Sequence, residues 1–235
     1  MKTTKIDWCD CTVNPVIGCS NGCPYCYARK INDRFHFVEK WDKPQFFPER
    51  LEQFACKSPK TVFIDSMSDA GRWEQAWFDE VMNATQRYPQ HKYIVLTKHP
   101  YELMIRRNNY IMANGNLLKN VYLGVSITCQ MDILNSVYLE YFDFLSIEPL
   151  LAKINLPDWL KGRAVKTIII GAETGNRKGK VIPQQQWIDD IVTKADEFGM
   201  KVFMKESLRN VVGENKFRQD KDIWTEKKSK TTIGA

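Results

Sequence analysis

Residues 167–204, TIIIGAETGNRKGKVIPQQQWIDDIVTKADEFGMKVFM, contain the clearest strand–helix–strand pattern in the chain. The β-branched run Thr167-Ile-Ile-Ile170 is typical of a strand buried on both faces. Apolar residues then recur at helical spacing between Pro183, which favours a first helical turn, and Gly199, which favours the position just past a helix end. Lys201-Val-Phe-Met204 repeats the strand pattern. The stretch therefore predicts a parallel βαβ unit.

The same alternation extends back through most of the chain. Amphipathic stretches such as Glu74–Tyr88, and a second one opened by Pro100, separate short apolar runs. Together with the two strands above, these runs make about seven strands, too few for a full eight-unit barrel. They are Thr61–Ile64, Lys92–Leu96, Val121–Val125, Phe142–Ile147 and a first strand near Thr12–Ile17.

We therefore predict an α/β fold, namely a partial (β/α) barrel of about six to seven parallel strands. An open doubly wound sheet is the alternative, because periodicity alone does not separate the two architectures. Residues 1–208 are predicted to form a single domain. Residues 209–235 are predicted to form a charged tail that is partly disordered.

Length and composition suit an ordinary globular protein. The chain has 235 residues, of which 43% are hydrophobic and 26% charged. No apolar stretch is long enough to span a bilayer, and the polar N-terminus lacks the apolar core of a signal peptide. We expect a cytoplasmic protein without membrane contact. The net charge of +6 suits a polyanionic partner only weakly, and no feature of the sequence indicates an oligomeric state.

Cysteines are concentrated near the N-terminus, where five of the seven lie within the first 26 residues. An odd number without a secretion signal argues against disulfides and favours metal binding. The loop Gly18–Tyr27 has the spacing C-x3-C-x2-C through Cys19, Cys23 and Cys26. Three thiolates on one loop can bind three irons of a cubane cluster and leave the fourth iron open to a ligand.

A zinc site is the alternative interpretation of the same region. Cys9-Asp-Cys11 and Cys23-Pro-Tyr-Cys26 contain four thiolates. However, C-x-C is an unusual zinc half-site, and this arrangement would leave Cys19 unused. We expect the isolated Cys56 and Cys129 to be small core residues.

The cysteine spacing, the aromatic residue after Cys26 and the position after a first strand resemble the radical S-adenosylmethionine superfamily. The resemblance implies that Cys19, Cys23 and Cys26 bind a [4Fe–4S] cluster. It implies that the amine and carboxylate of S-adenosylmethionine chelate the open iron, and that one-electron reduction cleaves the sulfonium to give a 5′-deoxyadenosyl radical. An electron donor such as flavodoxin or ferredoxin is implied as a partner.

Short pieces along most of the chain are similar to a phage-associated family of radical-SAM-like proteins of unknown substrate. In that family the first two cysteines are often farther apart, whereas this chain has the shorter spacing usual in the superfamily. The pieces are Lys5–Trp8, Asn14–Cys19, Cys26–Ala28, Asp65–Asp69, Leu96–Lys98, Leu123–Ser126, Ser146–Leu150 and Gly171–Gly175.

Polar residues follow the predicted strands, at the ends where (β/α) barrels place their chemistry. By resemblance, the loop after the second strand contacts the methionyl amine, although the usual Gly-Gly-Glu is absent. Ser126 and Glu148 are expected to contact the ribose or carboxylate, and Glu173 and Lys205 are expected on the substrate side as catalytic residues. The predicted cofactor-binding residues are Ser66, Ser68, Asp69, Thr97, Lys98, Ser126 and Glu148.

The sequence thus predicts a radical S-adenosylmethionine enzyme. The positive charge and the phage association favour nucleic acid or a nucleotide as substrate. A peptide or a small metabolite is an alternative substrate. The alternative is a non-catalytic nucleic-acid-binding module that holds zinc or an iron–sulfur cluster. A third hypothesis is an iron–sulfur protein that serves as an electron carrier. Basic residues of the predicted tail are candidate phosphate contacts, namely Lys216, Arg218, Lys227, Lys228 and Lys230.

Overall fold

The computed structural model describes residues 2–115, 119–134 and 138–224. Its strands are β1 (Lys2–Thr3), β2 (Cys11–Thr12), β3 (Val16–Ile17), β4 (Gln45–Phe46), β5 (Thr61–Phe63), β6 (Lys92–Thr97), β7 (Val121–Ser126), β8 (Phe144–Ile147), β9 (Thr167–Ile170) and β10 (Lys201–Met204). Its α-helices are α1 (Tyr27–Phe35), α2 (Gln75–Arg87), α3 (Pro100–Asn114), α4 (Gln130–Leu134), α5 (Gln185–Glu197) and α6 (Arg209–Val212).

Seven parallel strands form a curled sheet that makes a half-barrel. The sheet order is β1-β2-β5-β6-β7-β8-β9-β10, and only β1 runs antiparallel to its neighbour. Sheet neighbours follow one another along the chain, so the strand order never reverses as a doubly wound sheet requires. The partial barrel is therefore confirmed, and the open doubly wound alternative is wrong.

The predicted helices are present with small shifts at their ends. The amphipathic stretch Glu74–Tyr88 corresponds to α2, and Pro100 is the first residue of α3. The predicted helix from Pro183 to Phe198 begins two residues later, at Gln185. Both α2 and α5 bury one face against the sheet, as their apolar spacing predicts.

The first predicted strand, near Thr12–Ile17, needs correction because the structure divides it in two. Cys11–Thr12 pairs with β5 in the half-barrel, whereas Val16–Ile17 pairs antiparallel with β4 in a separate two-stranded sheet. Pro15 lies between the two pieces. Proline has no backbone N–H to donate to a ladder, so a central strand cannot run through it.

The apolar core has two layers, one on each face of the sheet. The outer layer fills the space between sheet and helices. The inner layer takes one residue from each of six consecutive strands, and Trp8, Ile223 and Trp224 complete it. The strand residues of the inner layer are Phe63, Ile94, Tyr122, Phe144, Ile169 and Phe203.

Trp224 closes the half-barrel at the amino ends of the strands. Its ring lies 5.0 Å from that of Phe144 and 5.9 Å from that of Trp8, measured between centroids. The Trp224 Nε1–H donates to the Trp8 carbonyl oxygen at 3.0 Å, and Lys92, at the start of β6, donates to the Trp224 carbonyl at 2.7 Å. The end of the described chain is therefore part of the core.

This packing corrects the predicted boundary at residue 208. Residues 209–224 continue the domain, because Ile223 and Trp224 are buried and Phe203 pairs with Gln219 in an antiparallel bridge. The sequence predicted a tail because residues 209–235 are rich in charge and contain few apolar side chains. Two of those apolar side chains, Ile223 and Trp224, are buried in the core. Residues 225–235, with Lys227, Lys228 and Lys230, lie outside the described residues.

Lys216 and Arg218, two of the candidate phosphate contacts, have acidic partners within the protein. Lys216 Nζ lies 2.7 Å from an Asp189 oxygen. The Arg218 guanidinium lies 2.7 Å from Asp196 and 2.8 Å from Asp220. A phosphate would have to compete with these carboxylates, so the structure does not favour these residues as nucleic-acid contacts.

None of the helices within the described ranges combines the length and the apolar character needed to cross a membrane.

Trp224→Ala should destabilise the protein by about 3–5 kcal/mol, because it removes one of the two buried tryptophans of the inner layer. Trp159→Ala is the matched control, since Trp159 is 39% exposed and its loss should cost about 1 kcal/mol or less. Urea denaturation followed by circular dichroism measures both. Equal unfolding midpoints for the two variants would contradict the assignment of Trp224 to the core.

Candidate functional site

A cavity of about 200 Å³, partly open to solvent, lies at the carboxyl ends of the parallel strands. Every residue that the sequence predicted for the site lines it. The structure thus brings together residues that lie as many as 186 positions apart in the chain, between Cys19 and Lys205. The lining includes Cys19, Cys23, Cys26, Ser66, Ser68, Asp69, Thr97, Lys98, Ser126, Glu148, Glu173 and Lys205.

The alternation of strand side chains explains why these residues meet. On β8 and just beyond it, Phe144 belongs to the inner apolar layer, while Ser146 and Glu148 line the cavity above it. Lys205 lies two residues beyond the inner-layer Phe203 in the same way. Successive inward positions along parallel strands form stacked layers, so the polar layer lies directly above the aromatic one.

Backbone contacts fix the cysteine loop against the sheet. The Gly18 N–H donates to the Met67 carbonyl at 3.0 Å, and the Cys19 N–H donates to the Trp41 carbonyl at 2.7 Å. Gly18 has a φ of +108°, and a Cβ there would lie 2.9 Å from the Trp41 oxygen. Only glycine therefore suits the entry to the loop.

Cys26 ends the loop and begins the following helix. The Arg29 N–H donates to Cys26 Sγ at 3.4 Å, so the sulfur caps the N-terminus of α1. This contact holds the Cys26 sulfur at the junction of the loop and the helix.

Asp69 holds the cysteine loop through Asn21, a residue that the sequence analysis missed. The Asp69 carboxylate accepts hydrogen bonds from Asn21 Nδ2 at 2.7 Å and from Thr97 Oγ1 at 2.5 Å. It also accepts from the Gly71 and Lys98 N–H groups, at 3.0 Å each. Asp69 and Thr97 thus have structural partners, and the contacts make them positioning residues for the loop.

His99 holds Asn21 from the other side. Its Nε2 lies 2.7 Å from Asn21 Oδ1, so this nitrogen carries the proton and donates. Burial is the main cause that lowers the His99 pKa, which favours the neutral ring. The sequence offered two signals for this pair, the place of Asn21 between Cys19 and Cys23 and the place of His99 just past β6.

The serines after β5 also have partners within the protein. The Ser66 hydroxyl donates to Asn14 Oδ1 at 3.0 Å, and Ser68 Oγ accepts from Trp73 Nε1 at 3.0 Å. Asp65, which the sequence analysis did not assign to the site, lines the cavity beside them. Burial, and then the nearby Asp69, raise the Asp65 pKa well above its ordinary value.

Three charged groups near the ends of the last strands, Glu148, Glu173 and Lys205, line the cavity, and each of them has a partner of opposite charge. Glu148 and Lys205 form an ion pair. Glu173 accepts two hydrogen bonds from Arg177, at 2.6 and 2.7 Å, and these bonds lower its pKa. A carboxylate held in this way is a poor proton acceptor, so Glu173 is better suited to bind a cation or a hydroxyl than to act as a base.

Lys98 differs from these three groups. Within the described part of the chain, no carboxylate lies at ion-pair distance from its ammonium. Its Nζ donates to Ser126 Oγ at 2.7 Å and lies 5.5 Å from the centroid of the Tyr25 ring. A partly buried ammonium without a counter-ion attracts an anionic group. Lys98 is therefore the natural contact for a carboxylate or phosphate of a ligand.

Two buried polar atoms in cavity-lining residues have no hydrogen-bond partner among the described residues. They are Ser146 Oγ and Trp8 Nε1. Nearly all buried polar side-chain atoms in proteins are paired, so an exception calls for an explanation. Ser146 Oγ and Trp8 Nε1 are therefore candidate contacts for a polar ligand in the cavity.

The three cysteine thiols of the loop suit an iron–sulfur cluster, both as ligand types and by their common position at one cavity. Three thiols from one loop line a single cavity, and burial raises the pKa of Cys19 to about 12, with Cys23 and Cys26 among the smaller causes. Metal binding displaces such a proton. Within the described ranges, no three His, Cys, Asp or Glu side chains converge to hold a metal ion. In a cubane each cysteine binds a different iron, so the three sulfurs need not meet at one point.

The four-thiolate zinc arrangement does not fit. Cys11 is buried in the outer apolar layer, and Cys9 packs beside the inner layer. Neither residue lines the cavity that Cys23 and Cys26 share. The structure assigns this pair to the core.

Asn21→Ala should release the cysteine loop, because Asp69 and His99 each lose a partner. A lost hydrogen bond to a charged group costs about 1–3 kcal/mol, so alkylation of Cys19 by iodoacetamide should accelerate by about tenfold or more. Peptide mass spectrometry measures the rate. Asn155→Ala, at an exposed position, should leave the rate unchanged. Equal rates in both variants would rule out Asn21 as a tether.

The comparisons with known proteins place this chain in a family without assigning it a reaction. No curated protein and no solved structure matches it. One family model matches residues 3–229, which is nearly the whole chain. The chain therefore belongs to the family described as a protein of unknown function (DUF5131).

Proposed function

We propose that this protein is a radical S-adenosylmethionine enzyme. One observation carries the proposal: Cys19, Cys23 and Cys26 line the same cavity as the polar residues at the carboxyl ends of six strands. A (β/α) sheet places its chemistry at this end. A metal loop alone would also suit a structural site, but a loop that opens onto a cavity with several charged and polar side chains supports catalysis.

The three cysteines would hold the cluster, and the cavity would hold S-adenosylmethionine beside it. Such a cluster supplies one electron, taken from a donor such as flavodoxin or ferredoxin, and the electron splits the sulfonium into methionine and a 5′-deoxyadenosyl radical. The protein's own contribution is binding, orientation and the exclusion of water. The apolar floor beneath the cavity excludes water from that side.

Several cavity groups match the polar groups of the cofactor. Lys98, which has no carboxylate partner among the described residues, would offer its ammonium to the methionyl carboxylate. Glu148 would offer a carboxylate to the ribose hydroxyls or the amine. Ser126 is bonded to Lys98 and would orient it. Lys205 and Glu173 lie on the wall formed by the last strands and would face the substrate.

The reduced protein with its cluster should release 5′-deoxyadenosine and methionine from S-adenosylmethionine, slowly even without a substrate. Cys19→Ala, Cys23→Ala and Cys26→Ala should each abolish the release and the iron content of about four per chain, because each removes a thiolate ligand. Anaerobic turnover with dithionite, followed by chromatography and iron analysis, measures both quantities.

Cys129→Ala is the matched control, since Cys129 does not line the cavity and should keep both iron and turnover. A wild-type protein with a full cluster and no 5′-deoxyadenosine under any reductant would overturn the enzyme assignment.

Glu148→Ala should keep the cluster but weaken S-adenosylmethionine binding by about ten- to a hundredfold, the range expected for one charged hydrogen bond. Glu140→Ala removes an exposed carboxylate that pairs with Arg163 and should leave binding unchanged. Isothermal titration under anaerobic conditions measures both affinities. Unchanged affinity in Glu148→Ala, with normal iron content, would remove Glu148 from the cofactor site.

A further inference from the structure

Helix α1, which follows the cysteine loop, exposes its large apolar residues, and the residues that it buries are not large apolar ones. Its buried residues are Ala28 and Asn32. Tyr27, Ile31 and Phe35 are 48%, 36% and 57% exposed. A spacing of four residues places these three on one face. Most helices of a globular protein turn such a face toward the core.

The turn after α1 extends this exposed face. The Asn32 side chain forms two hydrogen bonds with the backbone of Val38, both of 3.0 Å. They hold the chain so that the Phe37 ring, 45% exposed, lies 5.9 Å from the Phe35 ring with 30° between the planes. We call Tyr27, Ile31, Phe35 and Phe37 the α1 stripe.

Positive charge flanks the α1 stripe. Lys30 and Arg34 are exposed on the same helix, and the Arg34 guanidinium lies 5.1 Å from the centroid of the Phe35 ring. Residues 27–43 contain five Lys and Arg against three Asp and Glu. An apolar face bordered by excess positive charge disfavours a second copy of the same face and favours an anionic partner.

We infer that the α1 stripe binds single-stranded nucleic acid and leads it to the cavity. Exposed aromatic rings beside cations are the features on which unpaired bases stack while their phosphates are neutralised. Tyr27 belongs to the stripe and also lines the cavity, so a strand on the stripe reaches the site. The inference rests on the proposed function in naming the substrate class, but the binding can be measured without S-adenosylmethionine.

An acidic electron-donor protein is the competing occupant of this surface. The arrangement of the Phe35 and Phe37 rings favours nucleic acid. Two exposed aromatic rings close together offer faces on which unpaired bases stack, whereas binding of a folded protein does not require such faces. The positively charged border is equally compatible with both. The experiment must therefore distinguish a strand from a protein.

The test is fluorescence anisotropy of the full chain with a labelled single-stranded oligothymidine of about 12 nucleotides. Wild type should bind it, and more tightly than a duplex of the same length. Phe35→Ala and Phe37→Ala should each weaken binding by about tenfold, the effect expected for the loss of one stacked base. Arg34→Ala should reduce the slope of log affinity against log salt by about one.

Two control variants carry matched changes elsewhere. Met112→Ala removes an apolar side chain that is 80% exposed on α3, and Arg87→Ala removes an exposed cation on α2. Both should bind like wild type, and circular dichroism should show all variants folded.

Absence of binding by wild type would overturn the inference, as would equal binding by Phe35→Ala and Met112→Ala. So would stripe variants that lose only reduction by flavodoxin. If the strand binds and 5′-deoxyadenosine never forms, the proposed function fails and the binding surface stands. If 5′-deoxyadenosine forms and no strand binds, the proposed function stands and the binding surface is ruled out.

Discussion

The packing of the inner apolar layer is the constraint on which the rest of the structure depends. Six consecutive strands each contribute one large side chain to the interior, and this shared volume bends the sheet into a half-barrel. Phe144 fills so much of it that a Cβ at Gly124 would lie 2.1 Å from the ring. Trp224 closes the amino end, and the cavity with its polar residues lies at the carboxyl end.

Polar side chains line the carboxyl end because the inward-facing positions of the strands continue beyond the apolar layer and are occupied there by polar residues. Just above the aromatic rings, Glu148 and Lys205 neutralise one another, and Arg177 neutralises Glu173. Such pairing lets charged groups remain at a half-buried site without large desolvation cost. Among the described residues, Lys98 has no carboxylate partner and the buried polar atoms of Ser146 and Trp8 have no hydrogen-bond partner, so these groups are available to a ligand.

The cysteine loop connects this cavity to the surface beyond it. Asn21 ties its first half to Asp69 and His99, and Cys26 joins its end to α1. The exposed aromatic face of α1 therefore begins where the loop ends. A single short segment thus combines the predicted metal ligands, a rigid tether to the sheet and the proposed binding surface.

The sequence by itself determined the parallel strands, most helix positions and the loop of three cysteines, because period and spacing are local properties. It also placed the polar strand ends in one site, since parallel strands share their carboxyl edge. Only the tertiary structure decided that Ile223 and Trp224 belong to the core, that Pro15 divides the first strand, and that Asp69 and Thr97 serve to position the loop. These features arise from contacts between residues far apart in the chain, and no local pattern reports which distant partner a buried side chain will meet.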